Sequence, residues 1–74
     1  MSQFIVIEVT SSSLSQANSI AEELVQRRLA ACVQIVGPVK SIYRWEGNIE
    51  SSEEFQCLIK TRHSLFDPVA QLVA

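Results

Sequence analysis

The period of the apolar positions changes several times along the chain, and each change marks an element. Phe4–Val9, FIVIEV, is a short β-rich run with few polar breaks, the pattern of a strand buried on both faces. The chemistry then turns abruptly polar in TSSSLSQ. Ser13 and Gln16 have the S-x-x-Q spacing of a capping box, with Ser15 as an alternative N-cap. Ala17, Ile20, Ala21, Leu24 and Val25 follow as the apolar stripe of an amphipathic helix. Glu22 and Glu23 sit early in that helix and Arg27 and Arg28 near its end, which suits the helix dipole.

ACVQIVGPVKSIYRW reads as a long strand, with Val33, Ile35, Val39, Ile42 and Tyr43 as its β-branched and aromatic content. Gly37-Pro38 interrupts it, because proline lacks the ladder N–H, so a bend or a bulge is expected there. Gly47-Asn48 has the composition of a two-residue hairpin loop. IESSEEFQCLIKT returns as a second long strand, polar at first and then alternating through Phe55, Cys57 and Ile59. In HSLFDPVAQLVA, Ser64 and Asp67 form an S-x-x-D box, and Leu65, Val69 and Leu72 share a helical face. Pro68 is tolerated only in a first turn, so this helix starts near Ser64 or Asp67.

The order β-α-β-β-α predicts an α+β fold: a ferredoxin-like antiparallel sheet with its helices on one face and its last strand missing. Residues 1–74 form a single domain, incomplete at its C-terminus. Without a fourth strand the first would carry an exposed apolar edge. Either the sequence is a piece of a longer chain or another chain covers that edge.

Composition narrows the function classes. A chain of 74 residues buries only about 60% of its unfolded surface, so its stability is thin without a staple or a partner. With 47% hydrophobic residues and two each of glycine and proline, disorder is excluded. Six Lys and Arg against eight Asp and Glu leave no basic stripe for nucleic acid. No run reaches the roughly 20 apolar residues of a membrane span. The start lacks a positive n-region and Glu8 interrupts its apolar run, which argues against a signal peptide. Cys32 and Cys57 show no CxxC spacing; read as reduced thiols, they make the cytoplasm the expected compartment.

Three stretches, IAEELVQRRLAACVQI (Ile20 to Ile35), SIYRWEGNIE (Ser41 to Glu50) and LIKTR (Leu58 to Arg62), together resemble the CutA-like divalent-cation-tolerance family. The resemblance runs in register across nearly the whole chain. The family continues further, through an HPYEVPE-like strand and a C-terminal helix. What the resemblance implies is a ferredoxin-like subunit of a homotrimer, its long hairpins reaching across to neighbours, with Tyr43, Arg44, Trp45 and Glu46 at the subunit interface. It also implies a role in the response to divalent metal ions, with Cu2+ or another divalent cation as cofactor and no catalytic activity.

Cys32 in LAACV matches the family and is the one candidate metal ligand; its plainer reading is a small core residue, as free cysteines are usually buried. The family's turn cysteine, in a TTCP-like segment, falls on Ser11, and serine is a poor ligand for soft copper. His63 stands alone between a strand and a helix and reads as an exposed cap residue. Glu53 and Glu54 are adjacent on a strand and point to opposite faces. The serine run lacks the glycines and lysine of a phosphate loop, although the N–H groups at that helix start suit a small anion. By analogy of fold with ferredoxin-like trimers that resemble signal-transduction regulators, a second reading is a trimeric regulatory module that binds a small anion between subunits and has no metal role.

Overall fold

A computed structural model describes residues 3–74. The elements are β1 (Phe4–Ser11), α1 (Leu14–Gln26), β2 (Cys32–Trp45), β3 (Asn48–Arg62), a 3-10 turn (His63–Leu65) and α2 (Phe66–Val73). The strands form one antiparallel sheet in the order β1-β3-β2, as the α+β, ferredoxin-like reading of the sequence expects. A small core of Ala17, Leu24, Ala30, Cys57, Ile59 and Val69 lies between the two helices and one face of the sheet.

Both ends of α1 are fixed by local chemistry. The Ser13 hydroxyl accepts the Gln16 N–H at 3.0 Å, the expected N-cap bond. The return half of the box is relayed. Ser13 N–H donates to Ser11 Oγ at 3.3 Å, and that hydroxyl lies 2.9 Å from Gln16 Oε1. At the other end, Arg28 adopts φ 60°, Arg28 N–H bonds the Val25 carbonyl and Leu29 N–H bonds the Leu24 carbonyl. This is a Schellman motif with arginine where glycine is usual. The left-handed conformation costs an L-residue roughly 1–2 kcal/mol. The apolar stripe of α1 is narrower than expected, since Val25 is exposed.

Four expectations are corrected. First, β1 is buried on one face only: Phe4 and Val6 are 62% and 60% exposed, because the sheet carries one helical layer. Second, the hairpin loop is Glu46–Gly47, with Asn48 already paired to Trp45. Both loop residues have positive φ, 49° and 80°, as a two-residue type I′ turn demands. Third, the Ser64 and Asp67 box does not form: the 3-10 turn takes up Ser64, and α2 starts at Phe66 with no side-chain cap. Pro68 still falls in the first turn of α2, where its missing N–H costs nothing. Fourth, Cys32 is exposed, as described below.

The turn gives a direct prediction. Glu46 pays for a left-handed conformation that asparagine tolerates. Glu46→Asn should therefore stabilise the fold by about 0.5–1 kcal/mol. The corresponding rise in melting temperature is several degrees. A melting temperature equal to or below that of the parent would contradict the turn assignment.

The bulge expected at Gly37-Pro38 is present. Val36 pairs with Gln56 and Val39 with Glu54, so Gly37 and Pro38 together oppose Phe55 alone. The Gly37-Pro38 peptide bond is cis. One extra residue in β2 inverts its alternation: residues beyond the bulge face the opposite way from residues of the same parity before it.

Candidate functional site

β3 runs through the sheet without a bulge, so its alternation defines two faces. Phe55, Cys57, Ile59 and Thr61 point toward the helices, and the even-numbered residues point away. Through the register, Phe4 and Val6 of β1 share that open face, opposite Arg62 and Lys60. So do Cys32 and Val36 of β2, opposite Lys60 and Gln56. Past the bulge, Val39, Tyr43 and Trp45 pair with Glu54, Glu50 and Asn48, and they fall on the same face. Phe4, Val6, Val36, Tyr43 and Trp45 are all exposed. They lie on the two edge strands, with Arg62, Lys60, Gln56, Glu54 and Glu50 of β3 between them, on one side of a molecule that measures 41 × 29 × 19 Å.

The length comes from the hairpin. β2 and β3 have 14 and 15 residues, whereas strands are usually about 5–6 residues long. Their distal halves extend past both helices. Ile42 and Ile49, on the hairpin's other face, are 68% and 65% exposed, and Trp45 is 62% exposed. An isolated two-stranded hairpin is marginal in water. This one shows apolar side chains on both faces, each forgoing about 1.5–3 kcal/mol of burial. Of the interface residues expected from the sequence, Tyr43 and Trp45 share the open face at the distal end, Arg44 falls on the other face opposite Ile49, and Glu46 lies in the turn itself.

Polar contacts border the open face without filling it. Gln56 Nε2 donates to Glu8 Oε1 at 2.8 Å, and the Arg62 guanidinium lies 6.0 Å from the Phe4 ring centroid. Cys32 is an exposed thiol on this face, cross-strand from Lys60; the small-core reading missed that it alternates with the inward Val33 and Ile35. Cys57 is the buried cysteine, with Sγ 3.8 Å from the Ala17 carbonyl, and desolvation pushes its thiol pKa up. It is a core group and a poor nucleophile.

Among the described residues no three His, Cys, Asp or Glu side chains cluster to hold a metal ion. The described residues therefore do not by themselves fit a copper site, since no second donor among them joins Cys32. Ser11 is buried and its hydroxyl is engaged by Ser13 and Gln16. His63 is exposed, and its backbone N–H donates to the Gln3 carbonyl at 2.7 Å. Ser52 Oγ donates to Glu54 Oε1 at 3.2 Å, while Glu53 points the other way. No helix among the described residues is long and apolar enough to cross a membrane.

Residues 5–74 match the family described as CutA1 divalent ion tolerance protein. The chain is 42% identical over 69 residues to the chloroplastic CutA protein of Arabidopsis thaliana, covering 93% of this chain and 38% of that one. It is 46% identical over 63 residues to the divalent-cation tolerance protein CutA of Archaeoglobus fulgidus, covering 85% of this chain and 61% of the relative. The chain thus spans less than two thirds of either relative's length. The crystal structure of CutA1 from Shewanella sp. SIB1 superposes with a TM-score of 0.89 at 39% identity, over 96% of this chain and 66% of that chain. The names and descriptions of these proteins state no reaction.

They also correct the expected compartment. One relative is named chloroplastic, and the Archaeoglobus fulgidus structure (TM-score 0.84, 43% identity, over 95% of this chain and 68% of that one) is titled periplasmic. Two unpaired cysteines in this fold therefore do not fix a cytoplasmic location. With a match that runs along almost its whole length and a sheet and helices that superpose on solved members, this chain belongs to the CutA1 divalent ion tolerance family.

Proposed function

We propose that the chain is the subunit of a homotrimeric divalent-cation tolerance protein, one that responds to metal ions and catalyses no reaction. The observation that carries assembly is the set of exposed apolar side chains on the open face, continued by a hairpin with exposed apolar side chains on both sides. Exposed surfaces of this kind are covered by partners in stable proteins. The copy number of three rests on the family resemblance. A partner subunit would pack on Tyr43 and Trp45 from one side of the hairpin and on Ile42 and Ile49 from the other.

Cu2+ is the proposed cation, with Cys32 as its candidate ligand. One exposed thiol is too few donors, so the remaining ligands would have to come from neighbouring copies. The test is calorimetric titration of the full-length assembled protein with Cu2+ and, separately, with nucleotides. Heat at a stoichiometric ratio with Cu2+, reduced in Cys32→Ser, supports the reading. Silence with Cu2+ and saturable heat with a nucleotide would replace it with a small-anion regulatory module. Silence with both would leave a scaffold.

A further inference from the structure

The sequence placed any small anion at the start of α1, but the structure draws attention to the opposite end. A cavity of about 420 Å³ opens there, between the α1 C-terminus, the end of β3 and the 3-10 turn. Its walls include Val25, Ala30 and Leu65, together with Phe4, Arg28 and Arg62. Its size falls within the roughly 300–1,000 Å³ typical of small-molecule sites. No acidic residue lines it.

We propose that this cavity binds a small organic anion: an oxyanion group, carboxylate or phosphate, on a short apolar body. Among the described residues neither Arg28 nor Arg62 forms an ion pair, whereas the adjacent Arg27 is paired with Glu23. Thr61, which also lines the cavity, has its hydroxyl committed to the Leu29 carbonyl at 2.6 Å. Arg28 therefore has no ion-pair partner among the described residues, and the Arg62 guanidinium, 6.0 Å from the Phe4 ring centroid, keeps its in-plane N–H groups for an acceptor; a guanidinium is the side chain best matched to carboxylate and phosphate. The remaining apolar wall fits a hydrocarbon body.

The backbone of Arg28 adds a second, independent observation. It sits at φ 60° in a position that helices usually give to glycine. Side chains held in this region against their preference concentrate at functional sites. The Schellman bonds fix where its side chain leaves the chain, beside the cavity that Arg28 lines. The end of α1 brings a partial negative charge of about one half, which two full positive charges outweigh.

This proposal goes beyond assembly and metal response, and its test is independent of both. The full-length protein is titrated with benzoate, phenyl phosphate and neutral benzyl alcohol, with binding followed by calorimetry and amide NMR shifts. Benzoate or phenyl phosphate should bind with a dissociation constant of about 0.1–1 mM, and benzyl alcohol at least tenfold more weakly. Comparison of the two anions tells carboxylate from phosphate. Arg28→Gly removes the charge while relaxing the backbone, so it should keep or raise the melting temperature and weaken anion binding by about tenfold or more. Arg62→Gln should weaken binding to a similar degree. Unchanged affinity in both variants, equal binding of benzyl alcohol, or no binding of either anion would overturn the proposal.

Discussion

Alanine in place of Gly37 is expected to lower the unfolding free energy by about 2–3 kcal/mol, a large share of what a domain this small has. A Cβ built on Gly37 would stand 2.7 Å from Phe55 Cδ1, 3.0 Å from the Glu54 carbonyl oxygen and 3.2 Å from Phe55 Cα. The Phe55 ring could turn aside, but the two backbone contacts cannot. The φ of +156° adds to the cost, because L side chains rarely adopt it. The check is chemical denaturation of the parent, Gly37→Ala and the double variant Gly37→Ala with Phe55→Ala. The double variant should recover little, since it removes one clash of three and opens a gap in the core margin. A single variant within about 0.5 kcal/mol of the parent would show that the close approach is easily relieved.

The second large effect concerns assembly. Trp45→Ala should shift the proposed assembly to smaller species at micromolar concentration, read by size exclusion with light scattering. Trp45 is exposed in the single chain and shares a face with Tyr43 and the open side of the sheet. Tryptophan at the centre of an interface commonly contributes about 2 kcal/mol or more to binding, at least a thirtyfold change in dissociation. Ile49→Asp tests the hairpin's other face in the same way. An assembly that survives both substitutions intact would remove the hairpin from the interface.

Much of this arrangement was legible in the sequence, for reasons particular residues make plain. Ala17 and Leu24 lie seven positions apart, about two helical turns, and both are fully buried. Pro38 has no N–H to give a ladder, so a break near it was unavoidable. The hairpin loop was misplaced by one residue because composition favoured Gly47-Asn48. The turn instead forces Glu46 into a conformation it does not prefer. Cys32 was assigned to the core on residue type, although the apolar Val33 and Ile35 beside it already placed it on the other face. β1 was read as buried on both sides because its apolar residues occur on both faces, which records two surfaces to cover and not that the chain itself covers both.

For the candidate site the limit was different in kind. Tyr43, Arg44 and Trp45 are visible as contact chemistry, but which face Tyr43 and Trp45 share, and which Arg44 takes, depends on a count of residues across the bulge. The arginine pair at the end of α1 had no linear signature, because Arg28 and Arg62 are brought to one cavity by the packing of β3 against α1. A left-handed Arg28 also cannot be read from a run of two arginines.

The bulge has a consequence for how such a chain can change over time. It lies between the helix-covered part of the sheet and the free arm, so it acts as a joint between two modules that answer to different demands. Adding or removing two residues on each strand of the arm would change its reach by about 7 Å at a time and return every side chain beyond the change to its own face. The side chains retained at the base of the arm would keep their facing, and the core would not be touched. Adding a single residue to one strand alone would turn over every side chain beyond it. Variation in arm length is therefore cheap in matched steps of two and disruptive in unmatched ones, and the reach of the arm can be tuned without redesigning the domain that holds it.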